Sequence, residues 1–365
     1  MTNTRLRTRT LVAAMTALVL WLLSGVPVAA AGGAWSSTGA MTQPRVDHHA
    51  IRLLDGRVLV VGGVGYVASA EVYDPAAGTW TSTGSLNVAR AQFTATLLMD
   101  GRVLVAGGYP ATSSAELYDP ARGTWTMTGS LRVPRRLHTA ALLRDGRVLI
   151  AGGVDDNSNT LKSAEIYDPA SGAWATTGSM ALARTEHAMV TLQDGTVLVA
   201  GGVYEVTESE VFDPAHGHWR TVGSMVNGRN NFALTLLGDG RVLAAGDGGT
   251  ADLYSPSSRT WSATGAPVDN LFGTALVLER DGTVLAAGGD YEAPASTEVF
   301  SPSTQTWRLT GSLQQGRDAN TGTLLQDGRI LVAGGESTGP PCYPEVGCTT
   351  TDFASAELFT PGAGG

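Results

Sequence analysis

Between residues 93 and 108 the chain reads FTATLLMDGRVLVAGG, two short apolar runs meeting at an Asp-Gly pair. Asp-Gly is a favoured pair for a tight hairpin turn, so the pattern predicts two antiparallel strands, a and b. The phrase recurs, beginning at Asp55, Asp100, Asp145, Asp194, Asp239, Asp281 and Asp327, in steps of 45, 45, 49, 45, 42 and 46 residues, the period range of propeller blades. Further along each copy come an acidic residue, an aromatic two places later, a turn and a tryptophan, as in AELYDPARGTW from Ala115 to Trp125. Proline followed by glycine forces a turn between two short β-rich runs, giving strands c and d. The expected fold class is all-β, a seven-bladed β-propeller.

The two ends carry complementary defects. The first repeated tryptophan, Trp35, arrives with no strands a to c before it, and the last copy, TLLQDGRILVAGG followed by SAELFTPGAGG, has no tryptophan strand. The segment around Trp35 is therefore expected to complete the last sheet and hide two open edges. The other repeated tryptophans, Trp80, Trp125, Trp174, Trp219, Trp261 and Trp307, are expected to fill the wedges between blades.

The first 31 residues break the pattern. Arginines at positions 5, 7 and 9, an uncharged stretch from Leu11 to Leu23 and small residues at PVAAAGG have the layout of a secretory signal, with cleavage expected after Ala30 or Ala31. The division is then a signal peptide over 1–31 and a propeller over 32–365, giving a secreted protein with no membrane span after signal removal, with a retained N-terminal anchor as the alternative. Removal of the signal leaves 21 basic against 33 acidic residues, a net charge of about −12, which argues against nucleic acid and anionic membrane as partners. Cys342 and Cys348, in PPCYPEVGC, would pair as a disulfide in an oxidising compartment, with free thiols or a partial metal site as the alternative.

A double glycine after strand b, an acidic strand ending in Tyr-Asp-Pro, then tryptophan: this motif resembles the kelch repeat and covers nearly the whole mature chain. The resemblance is to secreted bacterial kelch proteins and to the central propeller of galactose oxidase. It implies a kelch-type propeller whose loop face often binds ligands, and it leaves the function open.

What appears in every copy builds a blade, whereas what appears once is free to act. An arginine precedes strand a in six copies, Arg45, Arg90, Arg135, Arg184, Arg229 and Arg317, with Asn270 read at this place in the sixth blade. One reading is a rosette of guanidiniums that binds carboxylates or sulfates at a channel mouth. The other pairs each arginine with a strand-c acid: Glu71, Glu116, Glu165, Glu210, Asp252, Glu298 and Glu357. On that reading the shortened Asp252 just before Asn270 suggests contact between strand c of one blade and the start of the next. Tyr66, Tyr109, Tyr204 and Tyr291, in the variable b–c loops, could grip a sugar or a peptide or could pack against neighbouring loops.

Asp155, Asn157 and Asn159 alternate as in a calcium loop but lack its glycine, and His216 and His218 could share a metal but lack an obvious third ligand. His48, His138 and His187 recur three places after their arginines and mark a packing position between blades. His49 and Glu186 are unrepeated acid–base candidates, with Glu186 beside Arg184 the pair for a sugar epimerase or mutarotase of the sialic-acid kind. A galactose-oxidase-like copper enzyme fits less well, since that family needs a cysteine–tyrosine cross-link and a following domain. The expected function is a binding module for a carbohydrate or protein ligand, monomeric and needing no cofactor, with a sugar-modifying enzyme as the alternative and a purely structural envelope protein as a third reading.

Overall fold

The computed structural model describes residues 32–203, 206–247, 249–269, 271, 274–289, 295–338 and 350–362. The segment read as a signal, the two cysteines, Tyr204, Tyr291 and Asn270 lie outside them. The described residues form seven four-stranded antiparallel sheets, one per copy of the repeat, with no helix among them. In blade 2 the strands are Thr94–Leu97, Val103–Ala106, Ala115–Asp119 and Thr124–Met127. Strand a of each blade touches strand a of both neighbours and is innermost. Strand b is sandwiched between two blades, and Val103 to Ala106 are completely buried, which is why it reads as a continuous apolar run.

Blade 7 closes as its ends predict. Its strands run in the order Thr321–Leu324, Ile330–Ala333, Ala356–Thr360 and then Ala34–Ser37, with Trp35 opposite Phe359 and Ser37 opposite Glu357. The chain's N-terminal strand thus removes the free edge that an open ring would expose. A short hairpin, Glu336–Thr338 with Thr350–Asp352, is added between strands b and c of this blade.

Seven apolar clusters fill the seven seams, and each holds one repeated tryptophan. In the seam between blades 2 and 3, Trp174 packs with Leu104, Leu117, Val148, Ile150 and Tyr167. At about 1.5–3 kcal/mol for each large apolar side chain buried, every seam is a core in its own right. A reciprocal clasp locks it. Gly129 N–H donates to Gly172 O at 3.0 Å, and Gly129 O accepts the Trp174 indole N–H at 2.8 Å. A Cβ on Gly129 would lie 2.2 Å from Gly172 O, so the glycine four residues after the blade 2 tryptophan is required by the approach of the next blade's c–d turn.

The double glycine after strand b answers a second steric demand. A Cβ on Gly107 would lie 2.7 Å from the His138 ring of the next blade, and one on Gly152 would lie 2.6 Å from His187. These histidines, with His48, are only 4–5% exposed. Their Nε2 atoms stand 3.0 Å (His48), 3.1 Å (His138) and 2.8 Å (His187) from threonine hydroxyls in strand a of the preceding blade. Phe93, Phe232 and Asn320 take the same place in blades 2, 5 and 7.

Burial, helped by the charge of Arg45 for His48 and of Arg184 for His187, pushes these two imidazoles down to about 3, and burial pushes His138 well below its ordinary value. Above about pH 6.5 the rings are neutral in folded and unfolded chains alike, and their stabilising contribution is complete. Below it the unfolded chain takes up protons that the folded chain refuses. Stability should then fall by about 1.4 kcal/mol per pH unit for each of His48 and His187, down to about pH 3, and His138 should add to the fall. Thermal melts between pH 7.5 and 4.5 should show this loss, and the triple variant H48F, H138F and H187F, which borrows the residue of blades 2 and 5, should flatten it. A wild-type melting temperature independent of pH over that interval would contradict the assignment.

Candidate functional site

The repeated arginines do not face a ligand. All six are at most 1% exposed, and each guanidinium is tied within its own blade. Arg135 is representative: Nη1 donates to Gly152 O and Ser163 O, and Nη2 donates to Ser163 Oγ and to Glu165 Oε1 at 3.0 Å. The other pairs are Arg45 with Glu71, Arg90 with Glu116, Arg184 with Glu210, Arg229 with Asp252 and Arg317 with Glu357, at 2.8 to 3.2 Å. Burial lowers the Arg135 guanidinium below its ordinary value, and the Glu165 charge and hydrogen bond oppose the shift. The rosette reading is therefore corrected, because the charges are spent inside the blades.

Two details of the pairing reading also change. The contact joins an arginine to the acid that follows it in the same blade, and not to strand c of the blade before. The residue that replaces arginine in blade 6 is Leu271, not Asn270. Strand a of that blade is Ala275–Leu278, in register with Thr139–Leu142 of blade 3, which puts Leu271 at the place of Arg135. Leu271 is 3% exposed in the seam between blades 5 and 6. Its partner acid, Glu298, accepts backbone N–H groups from Val268 and Asp269, and burial pushes its carboxyl upward.

The second oxygen of each glutamate accepts a backbone N–H from the d–a loop, such as Thr42 N at 2.8 Å from Glu71 and Arg132 N at 2.8 Å from Glu165. The clamp therefore fixes the loops that open onto the central channel. Two residues after each arginine the backbone turns left-handed, at Asp47, Gln92, Leu137, Glu186, Asn231 and Ala319, with φ between 46° and 55°. Backbone bonds run from blade to blade through these residues: Asp47 N to Ala319 O, Leu137 N to Gln92 O, Glu186 N to Leu137 O and Asn231 N to Glu186 O. All six line a cavity of about 670 Å³ at the channel mouth.

This backbone position is constant and its side chain differs in all six copies, as expected of a place freed from construction. Of the six, only Glu186 stood out in the sequence. The signal that marks the rest is the lack of repetition two places after a repeated arginine. The cavity is acidic on its blade 7 and blade 1 side. There burial and Asp318 raise the Asp47 carboxyl, and burial raises Glu336 with help from Asp352, Asp318 and Asp47.

Among the proposed catalytic residues, Arg184 is occupied by Glu210 at 3.2 Å and Gly201 O at 2.9 Å, so the pair with Glu186 is not formed. Glu186 and His49 both line the cavity. His49 Nε2 is 2.8 Å from Phe93 O, its ring packs on Phe93, and burial lowers its basicity. The calcium-like loop closes on itself: Asp155 Oδ1 accepts Asn157 N and Asn159 N, and Oδ2 accepts the Asn159 amide. Glu165, the next acid along the chain, is held by Arg135.

Tyr66 and Tyr109 come together from the b–c loops of blades 1 and 2. Their rings stack at 5.4 Å with 24° between planes, and they remain 49% and 39% exposed. The Arg136 guanidinium lies 5.2 Å from the Tyr109 ring centre and donates to Gln92 Oε1, which joins the stack to the cavity wall. On the opposite face, His216 and His218 acquire the third ligand that their spacing did not reveal, Asp213.

The Kelch motif family matches residues 47–87 and 135–181. Among solved structures, a novel fungal alcohol oxidase with catalytic diversity among the AA5 family, in complex with copper, aligns over 90% of this chain and 76% of its own. Its TM-score is 0.72 at 17% identity, a likeness of fold. Among curated proteins no sequence matches significantly. The seven repeats, the closed ring of four-stranded blades and these matches make the chain a kelch-repeat β-propeller.

Proposed function

We propose that the protein is an exported binding module that holds a hydroxyl-rich carbohydrate on the face formed by the d–a and b–c loops. The observation that carries this reading is the Tyr66–Tyr109 stack, two large aromatic rings left partly in solvent beside a polar cavity. Tyrosine combines a flat apolar face with a polar edge, which suits the C–H face of a sugar ring and its hydroxyls together. Arg136 and Gln92 hold the stack in place, so little side-chain freedom remains to be lost on binding. Beside it, Asp47, Glu186 and Asn231 offer acceptors and an amide at fixed backbone positions around the cavity. The acidic wall favours neutral sugars over anionic ones.

A glycan array with neutral and acidic sugars, followed by titration of the hits, tests this reading. A saturable neutral glycan should bind the wild type, and Tyr66→Ala or Tyr109→Ala should weaken it by at least about 1 kcal/mol, roughly fivefold or more. Binding that both variants retain unchanged, or an array with no saturable ligand, would contradict it.

A further inference from the structure

The c–d turns lie on the face opposite the cavity and are built alike. In blades 1 to 4 the aspartate that opens the turn, Asp74, Asp119, Asp168 or Asp213, caps it by accepting the backbone N–H two residues on at 2.8 to 2.9 Å. That leaves Oδ2 turned to the residue at the tip. In blade 2 it meets Arg122 and in blade 3 the Ser171 hydroxyl, whereas in blade 4 it meets His216 Nδ1 at 2.7 Å. Blade 4 carries a second imidazole two places on, His218, where blades 1, 2 and 3 have Thr79, Thr124 and Ala173.

Gly217, at φ 67°, turns the chain between the two histidines, and its N–H closes the turn on Asp213 O at 2.8 Å. The imidazole centres are 5.7 Å apart. One donor atom from each of Asp213, His216 and His218 lies within 4.8 Å of the others, the one such cluster among the described residues. From these residues we infer that the blade 4 turn binds a divalent first-row transition ion, with zinc as the type case.

A second feature of the same blade points the same way. In blades 1, 2 and 3 the a–b hairpin ends in Asp-Gly-Arg, and the charge of Arg57, Arg102 or Arg147 reaches the turn aspartate of its own blade. Blades 5, 6 and 7 replace that aspartate with Ser255, Ser301 and Thr360. Blade 4 alone keeps the aspartate and has an uncharged residue, Thr196, in place of the arginine. The competing cation is thus missing from the one turn that supplies two imidazoles and a carboxylate. Imidazole nitrogen selects zinc, copper or nickel over the hard alkaline-earth ions, and three protein ligands leave a fourth position for water or for a donor from another molecule. Because the turn is hydrogen-bonded before any ion arrives, the ligands need little reorganisation to close on one.

Calorimetric titration of Zn2+ into the full chain, prepared without a histidine tag, tests the assignment. About one equivalent should bind saturably. The double variant H216A and H218T rebuilds the blade 1 turn, with its Ala77 and Thr79, and so should fold with an unchanged melting temperature in chelator. It should lose the site, and Asp213→Asn should weaken it at least about tenfold. A Zn2+-dependent rise in melting temperature, present in the wild type and absent in the double variant, is the second readout expected. Absence of saturable uptake by the wild type would overturn the proposal. So would uptake that survives in the double variant, and in that case its loss on replacing Cys342 and Cys348 would place the ion on the thiols.

Discussion

Six of the seven blades are organised around one buried ion pair. An arginine ahead of strand a folds back beneath strand c of its own blade, neutralises a glutamate or aspartate there, and uses its remaining donors on the glycine that ends strand b and on the segment before strand c. The acid passes the restraint on by accepting N–H groups from the d–a loop, as Glu165 does from Arg132 and Val133. Desolvating both charges is costly. In the five glutamate-paired blades both terminal guanidinium nitrogens and both carboxylate oxygens are matched, while among the described residues Nε has a partner only in Arg90, which donates to Val88 O. Blade 5 shows the dependence on length. Its shorter Asp252 reaches Arg229 with Oδ2, and its Oδ1 has no partner among the described residues. Blade 6 shows the dependence on charge, since Leu271 replaces the guanidinium and Glu298 is left with backbone donors.

The seams between blades work differently. They are apolar wedges around tryptophan, pinned by glycines that allow two backbones to touch. Clamp and wedge together hold the d–a loops in a constant left-handed arrangement around the channel, at the cost of conformations that non-glycine residues rarely adopt. Side chains at those positions are then free to vary, and in this chain they do. The division between constant backbone and variable side chain separates the building of the ring from whatever the ring recognises.

Much of this was legible in the repeat. Asp-Gly hairpins, the tryptophan wedge, seven blades, the strand around Trp35 completing the last blade, and the inter-blade place of His48, His138 and His187 all follow from spacing and residue type. The partner of each arginine did not follow, because a repeat of about 45 residues offers an acid both before and after it. Glu71 lies between Arg45 and Arg90, and only the fold of the chain decides which arginine it meets. Asn270 was one residue out of register: each arginine stands ten residues before its Asp-Gly aspartate, and ten before Asp281 is Leu271. The pairing of Tyr66 with Tyr109 depends on how loops of two blades converge, which period and composition do not encode. Asp213, by contrast, stands three residues before His216 and was hidden only by its repeated capping role.

The central claim is that the arginine ring is internal scaffolding, and a double-mutant cycle on Arg135 and Glu165 tests it most directly. By denaturant unfolding, Arg135→Met should cost about 3–5 kcal/mol, because it leaves Glu165 buried without its counter-charge, and the double variant R135M and E165L should recover most of that loss. If Arg135→Met instead left stability unchanged, the guanidinium would not be bound to Glu165 as described, and its charge would be free to face the channel.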